Sequence, residues 1–289
     1  MKIDGKALAS KIIADIKTDI ANLSKKGITP KVAIVTLGPE AAWESYVRQK
    51  IKLAEKLGIK TQLINIKNPT EDSLMQIVDK LNNDALIHGI IIQRPLTSHI
   101  KKDKVIYAVS PKKDIDGFIK NAYLQPPVWL SIKDILETIY NLQFTIYKEK
   151  NSAKFIEWLK EKNIAVLGKG ETAGMPIIEG LIKLGVQPLI IDSKTKNKKE
   201  ILKDADIIIS AVGKSQVFNA TDLKPNVLAI IGIGLHREKG KLRPDFREDE
   251  ISKVARYYTP TPGGIGPLNL AYLFKNLITA TKLLTKDSN

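Results

Sequence analysis

The chain has 289 residues, 43% of them hydrophobic, no cysteine and a formal net charge of +15. That length suffices for two domains with ample cores, and the missing cysteine excludes disulfides, thiolate metal sites and a cysteine nucleophile. The charge is spread over nearly every predicted element, and its densest run, residues 194–199, is turn-like and carries no interleaved aromatics, so it reads as a solvated surface and argues against a nucleic-acid partner.

Residues 6–23 repeat Leu8, Ile12, Ile16, Ile20 and Leu23 at helical spacing and stop before a Lys-Lys-Gly turn at 25–27. No secretory segment precedes this helix, and no apolar run is long enough to span a bilayer, so a cytoplasmic protein without membrane contact is expected. Residues 31–37 (KVAIVTL) are a β-rich run. The stretch 42–58 winds as a helix with Trp43, Tyr46, Val47, Ile51, Leu53, Ala54 and Leu57 on one side. Lys50 breaks that pattern, in the apolar arc one turn after Tyr46. An ammonium there either snorkels along its stem or stays in a lined pocket and meets a ligand; periodicity alone leaves both open.

A strand at 61–66, Thr70 as the N-cap of a helix over 71–81, and a continuous apolar strand at 87–92 complete an α/β unit. The last strand runs into Gln93-Arg94-Pro95-Leu96. Ligands of open α/β sheets bind beyond the carboxyl ends of the strands, which puts Gln93 where chemistry is expected. The loop 111–118 (PKKDIDGF) carries two acids, and its plainest reading is a solvated Asp-Gly turn. The isolated histidines His88, His99 and His236 show no metal-ligand spacing, so no metal is expected.

Residues 131–142 are helical, 143–152 a polar connection between domains, and 155–160 an added helical turn. A second α/β unit opens with a strand at 163–167, the turn Gly168-Lys169-Gly170-Glu171-Thr172-Ala173-Gly174, a helix at 175–184 and a strand at 188–191. This is the βαβ setting of a dinucleotide site: glycines let the backbone approach a pyrophosphate, and the helix N-terminus supplies amide donors. Strands at 206–212 and 227–231 continue the sheet. Residues 259–267 (TPTPGGIGP) form a rigid segment whose backbone comes close to a ligand. A helix over 269–284 closes the chain.

Five dispersed motifs, IDGKALASKI, SYVRQK, GIIIQRPL, PKKDIDGF and TPTPGGIGPLNLA, resemble segments of the bifunctional methylenetetrahydrofolate dehydrogenase/methenyltetrahydrofolate cyclohydrolase family, in that family's order and over nearly the whole chain. The resemblance implies two α/β domains. Residues 1–143, completed by 264–289, would form the folate-binding catalytic domain, and residues 144–263 a Rossmann-like NAD(P)-binding domain. It implies that Tyr46 stacks on the aminobenzoate ring of folate, that Lys50 is the catalytic ammonium, that Gln93 orients it, and that Asp116 grips the pterin edge. Pro262, Gly263 and Gly264 would lie against substrate and nicotinamide; Gly168, Lys169, Gly170, Gly174, Ser193 and Leu235 would bind the cofactor. A cytoplasmic homodimer joined through the cofactor domains and serving one-carbon metabolism and purine biosynthesis is implied as well. The alternative is a relative that has kept one activity, or only the folate and nucleotide pockets.

The sequence departs from the family at four places. Pro126-Pro127-Val128-Trp129 replaces Pro-Cys-Thr-Pro, with Trp129 adding bulk near the cleft. Gly168-Lys169-Gly170 replaces Gly-Arg-Ser. Gly232-Ile233-Gly234-Leu235-His236 replaces Asp-Val-Gly-Ile-Asn, and Trp43 replaces a small residue. Cofactor choice is balanced. Asp192 ends the second strand of the nucleotide unit, where an acid grips ribose hydroxyls and repels a phosphate. Lys169, Ser193 and Lys194 suit the extra phosphate of NADP. The expectation is NADP, with NAD possible, provided that Asp192 turns to solvent or pairs with Lys194.

Overall fold

The computed structural model describes residues 1–39, 43–94, 96, 100–119, 122–144, 152–238 and 240–286. Ala42, Pro95, His99 and most of the polar connection expected at 143–152 lie outside the described residues. The chain divides into two compact units, one of residues 10–127 and 270–289, the other of residues 1–9 and 128–269.

The first unit contains most of α1 (Gly5–Ser24), then β1 (Lys31–Leu37), α2 (Glu44–Leu57), β2 (Lys60–Ile66), α3 (Glu71–Asn83), β3 (Gly89–Ile92) and α4 (Lys102–Ala108). Its sheet has the order β2-β1-β3, with every pair parallel. The central strand is buried on both faces, Val32 to Val35 being inaccessible to solvent, which is why its sequence reads as an unbroken apolar run. Leu74, Val78 and Leu81 of α3 and Val105 of α4 pack with Ala33, Val35, Ile90 and Ile92 in one core. The expected Thr70 cap is present as a full capping box: Thr70 Oγ1 accepts from Ser73 N–H at 3.1 Å, and Thr70 N–H donates to Ser73 Oγ at 3.0 Å. At the other end of α2, Gly58 takes the left-handed conformation at φ 73° and stops the helix.

The second unit holds α5 (Pro127–Gln143) from Val128 onward, α6 (Ser152–Lys160), β4 (Ile164–Leu167), α7 (Gly174–Lys183), β5 (Leu189–Ile191), α8 (Lys198–Asp204), β6 (Ile207–Ser210), β7 (Val227–Gly232), the hairpin β8 (Leu235–Glu238) and β9 (Lys241–Pro244), α9 (Glu248–Val254) and β10 (Ala255–Tyr258). Its parallel sheet runs β10-β7-β6-β4-β5. The chain leaves β4 towards β5 on one side and returns to β6 on the other. The carboxyl ends of β4 and β6 therefore flank a topological switch point, where ligands of such sheets bind. The final helix α10 (Ile265–Lys286) begins four residues before its expected start, with Pro267 tolerated in the first turn.

Several short elements go beyond the sequence expectation. Part of the lysine-rich stretch at 194–199 is the first turn of α8, a helix anchored by the buried Leu202. Trp129 adds no exposed bulk: it is buried, and its indole lies where a Cβ at Gly180 of α7 would sit. Trp43 is likewise buried. Thus α5, which the sequence assigns to the folate half, falls in the nucleotide unit.

Candidate active site

In the first unit, α2 carries Lys50 towards the carboxyl end of β3, and Gln93 follows that strand directly. Lys50 Nζ donates to Gln93 Oε1 at 3.0 Å, and Gln93 Nε2 donates to the Arg94 carbonyl at 2.9 Å. Gln93 thus has one end fixed on backbone and presents its oxygen to the ammonium. Lys50 is half-buried. Burial pushes its pKa below the ordinary lysine value, and the negative charge of Asp116 opposes that shift. The Lys50 ammonium thus ends on Gln93 Oε1, inside its own unit. Tyr46, one turn earlier, is 53% exposed and presents its ring to solvent.

The acidic loop is no solvated turn. Asp114 is 4% exposed and Ile115 is inaccessible. The buried Lys113 ammonium donates to the carbonyls of Leu81, Asn82 and Asp84 at 2.9, 2.7 and 2.7 Å, capping the end of α3. Asn276 of α10 donates to the Ile115 and Gln125 carbonyls, both at 2.9 Å. The Asp114 carboxylate accepts from Gly117 N–H at 2.9 Å and Ile119 N–H at 2.8 Å, and burial pushes its pKa up to about 6. Between these anchors Asp116 remains half-buried and lines a small cavity with Ile92, Arg94 and Phe118. The Arg94 guanidinium stacks over the Phe118 ring at 3.8 Å. Tyr46, Lys50, Gln93 and Asp116 all belong to this one unit.

The second unit carries the glycine turn. Gly168 sits at φ 87°, and a Cβ there would meet the Ala211 carbonyl at 2.7 Å, so only glycine serves. A Cβ at Gly174 would collide with the Gly168 carbonyl, whereas one at Gly170 would meet nothing within 4 Å. The N-cap of α7, Ala173, offers no side-chain cap to the first-turn amides. An open turn beside an uncapped helix start, at the switch point, fits the phosphates of a dinucleotide. Ser193 is exposed beyond β5, and Leu235 opens β8 half-buried. Asp192 meets Lys194 through that residue's backbone amide, 2.9 Å from Oδ1. Lys169 Nζ lies 2.7 Å from Asp192 Oδ2.

Within the 259–267 segment, Gly264 packs closely against the chain's own backbone. A Cβ there would meet the Pro260 carbonyl at 2.7 Å, and Gly5 also abuts Gly264. Gly263 has φ 111°, and the Thr261–Pro262 peptide is cis.

One residue of this unit gave no signal in the sequence. Asp245 is fully buried and accepts from Ser210 Oγ at 2.6 Å and from the amides of Val212, Gly213 and Lys214 at 2.9, 2.8 and 3.1 Å. It locks the turn after β6, one wall of the crevice, and occupies the space a side chain at Gly234 would need. A lone Asp in a charged stretch cannot be told from a solvated one by type or spacing.

These features define a two-unit α/β protein with a nucleotide crevice in one unit and a lysine–glutamine–carboxylate site in the other. Residues 3–116 match the tetrahydrofolate dehydrogenase/cyclohydrolase catalytic domain, and residues 152–285 match the NAD(P)-binding domain of the same enzymes. The chain belongs to the tetrahydrofolate dehydrogenase/cyclohydrolase family. It is 38% identical over 293 residues to the bifunctional protein FolD of Rickettsia africae, covering 99% of each chain. With FolD of Ligilactobacillus salivarius it shares 34% over 278 residues, 96% of this chain and 95% of that protein. Among solved structures, the bifunctional FolD of Campylobacter jejuni superposes with a TM-score of 0.85 at 29% identity, over 98% of this chain and 99% of that one. Trypanosoma brucei FolD, solved with NADP and an inhibitor, gives 0.85 at 26%, over 99% and 98%.

Proposed function

We propose that the protein oxidises methylene-tetrahydrofolate to methenyl-tetrahydrofolate with NADP and hydrolyses the product to formyl-tetrahydrofolate, within one-carbon metabolism. The observation that carries this reading is the Lys50–Gln93 hydrogen bond at 3.0 Å beside the charge of Asp116, in a chain of this family.

In the hydrolysis, water adds to the cationic methenyl carbon and the bond from that carbon to the ring nitrogen breaks. Lys50, its pKa lowered by burial, is suited to take a proton from the attacking water and return it to the departing nitrogen. Gln93 holds the amine in line, and its own amide is tethered to the Arg94 carbonyl. Asp116 pairs with the donor edge of the pterin, and Tyr46 offers its exposed ring to the aminobenzoate. Pro262, Gly263 and Gly264 contribute a fixed backbone surface for substrate and nicotinamide. The turn of Gly168, Lys169, Gly170 and Gly174, with Ser193 and Leu235, is where NADP would be held; when bound, it supplies the hydride acceptor. Orientation dominates the hydride step, since no proton is transferred in it.

A homodimer is part of this reading. β5 is a sheet edge whose Leu189 and Ile190 are 39% and 42% exposed, an apolar strand that a second copy would cover. A cytoplasmic setting accords with the absence of any described helix long and apolar enough to cross a membrane. The dispersed positive charge argues for no nucleic-acid partner.

The test is spectroscopic, with methylene-tetrahydrofolate plus NADP in one cuvette and methenyl-tetrahydrofolate alone in another. Turnover in both is expected. Turnover in only one would establish a single-activity relative, and binding without turnover in either would leave a folate- and nucleotide-binding homologue.

A further inference from the structure

The end of β5 holds an anion site that the chain fills with its own side chain. Asp192 Oδ2 receives the Lys169 ammonium at 2.7 Å. Asp192 Oδ1 accepts from the Lys194 amide at 2.9 Å and from the Thr195 hydroxyl at 3.3 Å, and that hydroxyl oxygen in turn accepts from Asp192 N–H at 3.0 Å. An ammonium, a backbone amide and a hydroxyl converging on one group are the donors that a phosphate monoester would recruit. The carboxylate sits beside the glycine turn, through Lys169, and next to the exposed Ser193.

We propose that Asp192 is an internal competitor for the 2′-phosphate of NADP, and that the Lys169–Asp192 pair sets the cofactor preference of this chain. The inference rests on the reading that the glycine turn holds a dinucleotide. NADP must draw Lys169 away from Asp192 and place its phosphate beside a carboxylate. NAD meets the pair intact, with an acceptor already oriented for its ribose hydroxyls. The pair is weak enough to open, since the Lys169 side chain is 58% exposed and exposed ion pairs are screened. The competitor therefore blunts the preference for NADP without reversing it, and both dinucleotides are accepted. Lowering the pH within the working range gives no relief: the hydrogen bond from Lys169, and after it that from the Lys194 amide, hold the Asp192 pKa down to about 2.

Calorimetric titration of the full chain with adenosine 2′,5′-bisphosphate and with 5′-AMP isolates the phosphate, the one group by which these fragments differ. The wild type should prefer the bisphosphate by less than about tenfold, and Asp192→Ser should widen that ratio by about tenfold, as for one charge-assisted contact. Lys169→Ala should weaken the bisphosphate only slightly in the wild type but by about tenfold in the Asp192→Ser background, because the two residues are coupled. A Lys169→Ala effect of equal size in both backgrounds, or a ratio unmoved by Asp192→Ser, would overturn the competitor while leaving the dinucleotide site standing. If neither fragment binds any of the proteins, the site itself is misplaced and the proposal falls with it.

Discussion

At the residue scale, Lys50 and Asp114 of the first unit both have pKa values shifted by burial. Burial lowers the Lys50 pKa, and the hydrogen bond to Gln93 Oε1 aims its ammonium. Lys50→Met keeps the stem and removes the amine, so hydrolysis of methenyl-tetrahydrofolate should fall by at least about a hundredfold, the ordinary size of a general acid–base contribution. The wild-type rate should rise with pH to a plateau reached below the ordinary lysine value of about 10.4, and the variant should lack that limb. A parent-like rate in a folded Lys50→Met protein would make Lys50 a bystander.

Asp114 works in the opposite sense. Its folded pKa of about 6 lies above the unfolded value, because burial outweighs the amides that favour its charged form. Its contribution to stability is therefore fully present below about pH 3.9 and lost as the pH rises through 6, on the order of 3 kcal/mol in all. In urea unfolding, the wild type should lose ground to Asp114→Asn between pH 4 and pH 7. A gap that stays constant across that range would mean that Asp114 does not titrate there.

At the scale of elements, the decisive contacts join distant segments. Gly180 looks misplaced inside a helix, where alanine would ordinarily gain about 1 kcal/mol. Here its missing side chain makes room for the buried Trp129 indole. Overpacking should outweigh propensity, so Gly180→Ala should destabilise the chain by about 1–3 kcal/mol. Adding Trp129→Leu should recover part of that loss. A stabilised Gly180→Ala protein would show that the indole can shift. Asp245 has the same long reach: from beyond β9 it holds the turn after β6 through three amides and a hydroxyl.

At the scale of the molecule, the chain combines a net charge of +15 with an apolar sheet edge at β5. Dispersed like charge keeps copies apart, whereas the open outer edge of β5, bearing Leu189 and Ile190, is the surface on which the proposed dimer would form. Ile190→Lys puts an ammonium on that edge. Sedimentation should show a dimer for the wild type and a monomer for the variant, with hydrolysis retained because Lys50, Gln93 and Asp116 lie in the other unit. A wild-type monomer, or a variant that still dimerises, would direct attention to another surface.

Local order and composition sufficed for much of this. The strands of both sheets that are buried on two faces are continuous apolar runs, the Thr70 cap lies three residues before its Ser73 partner, and the glycine turn follows a strand and opens a helix. Lys50 stood out because a charge in an apolar arc needs a reason. The short, charged elements α8, β8, β9 and α9 stayed hidden, because helices and strands of four to seven residues complete too few periods to be read. Only the tertiary structure decided the meaning of the acids. Asp114, Asp192 and Asp245 are one residue type in three polar stretches. One is buried among backbone amides, one is clasped by Lys169, and one holds a turn from more than thirty residues away. The partner of a carboxylate is chosen in space, and nothing in its own neighbourhood along the chain records which donor will arrive.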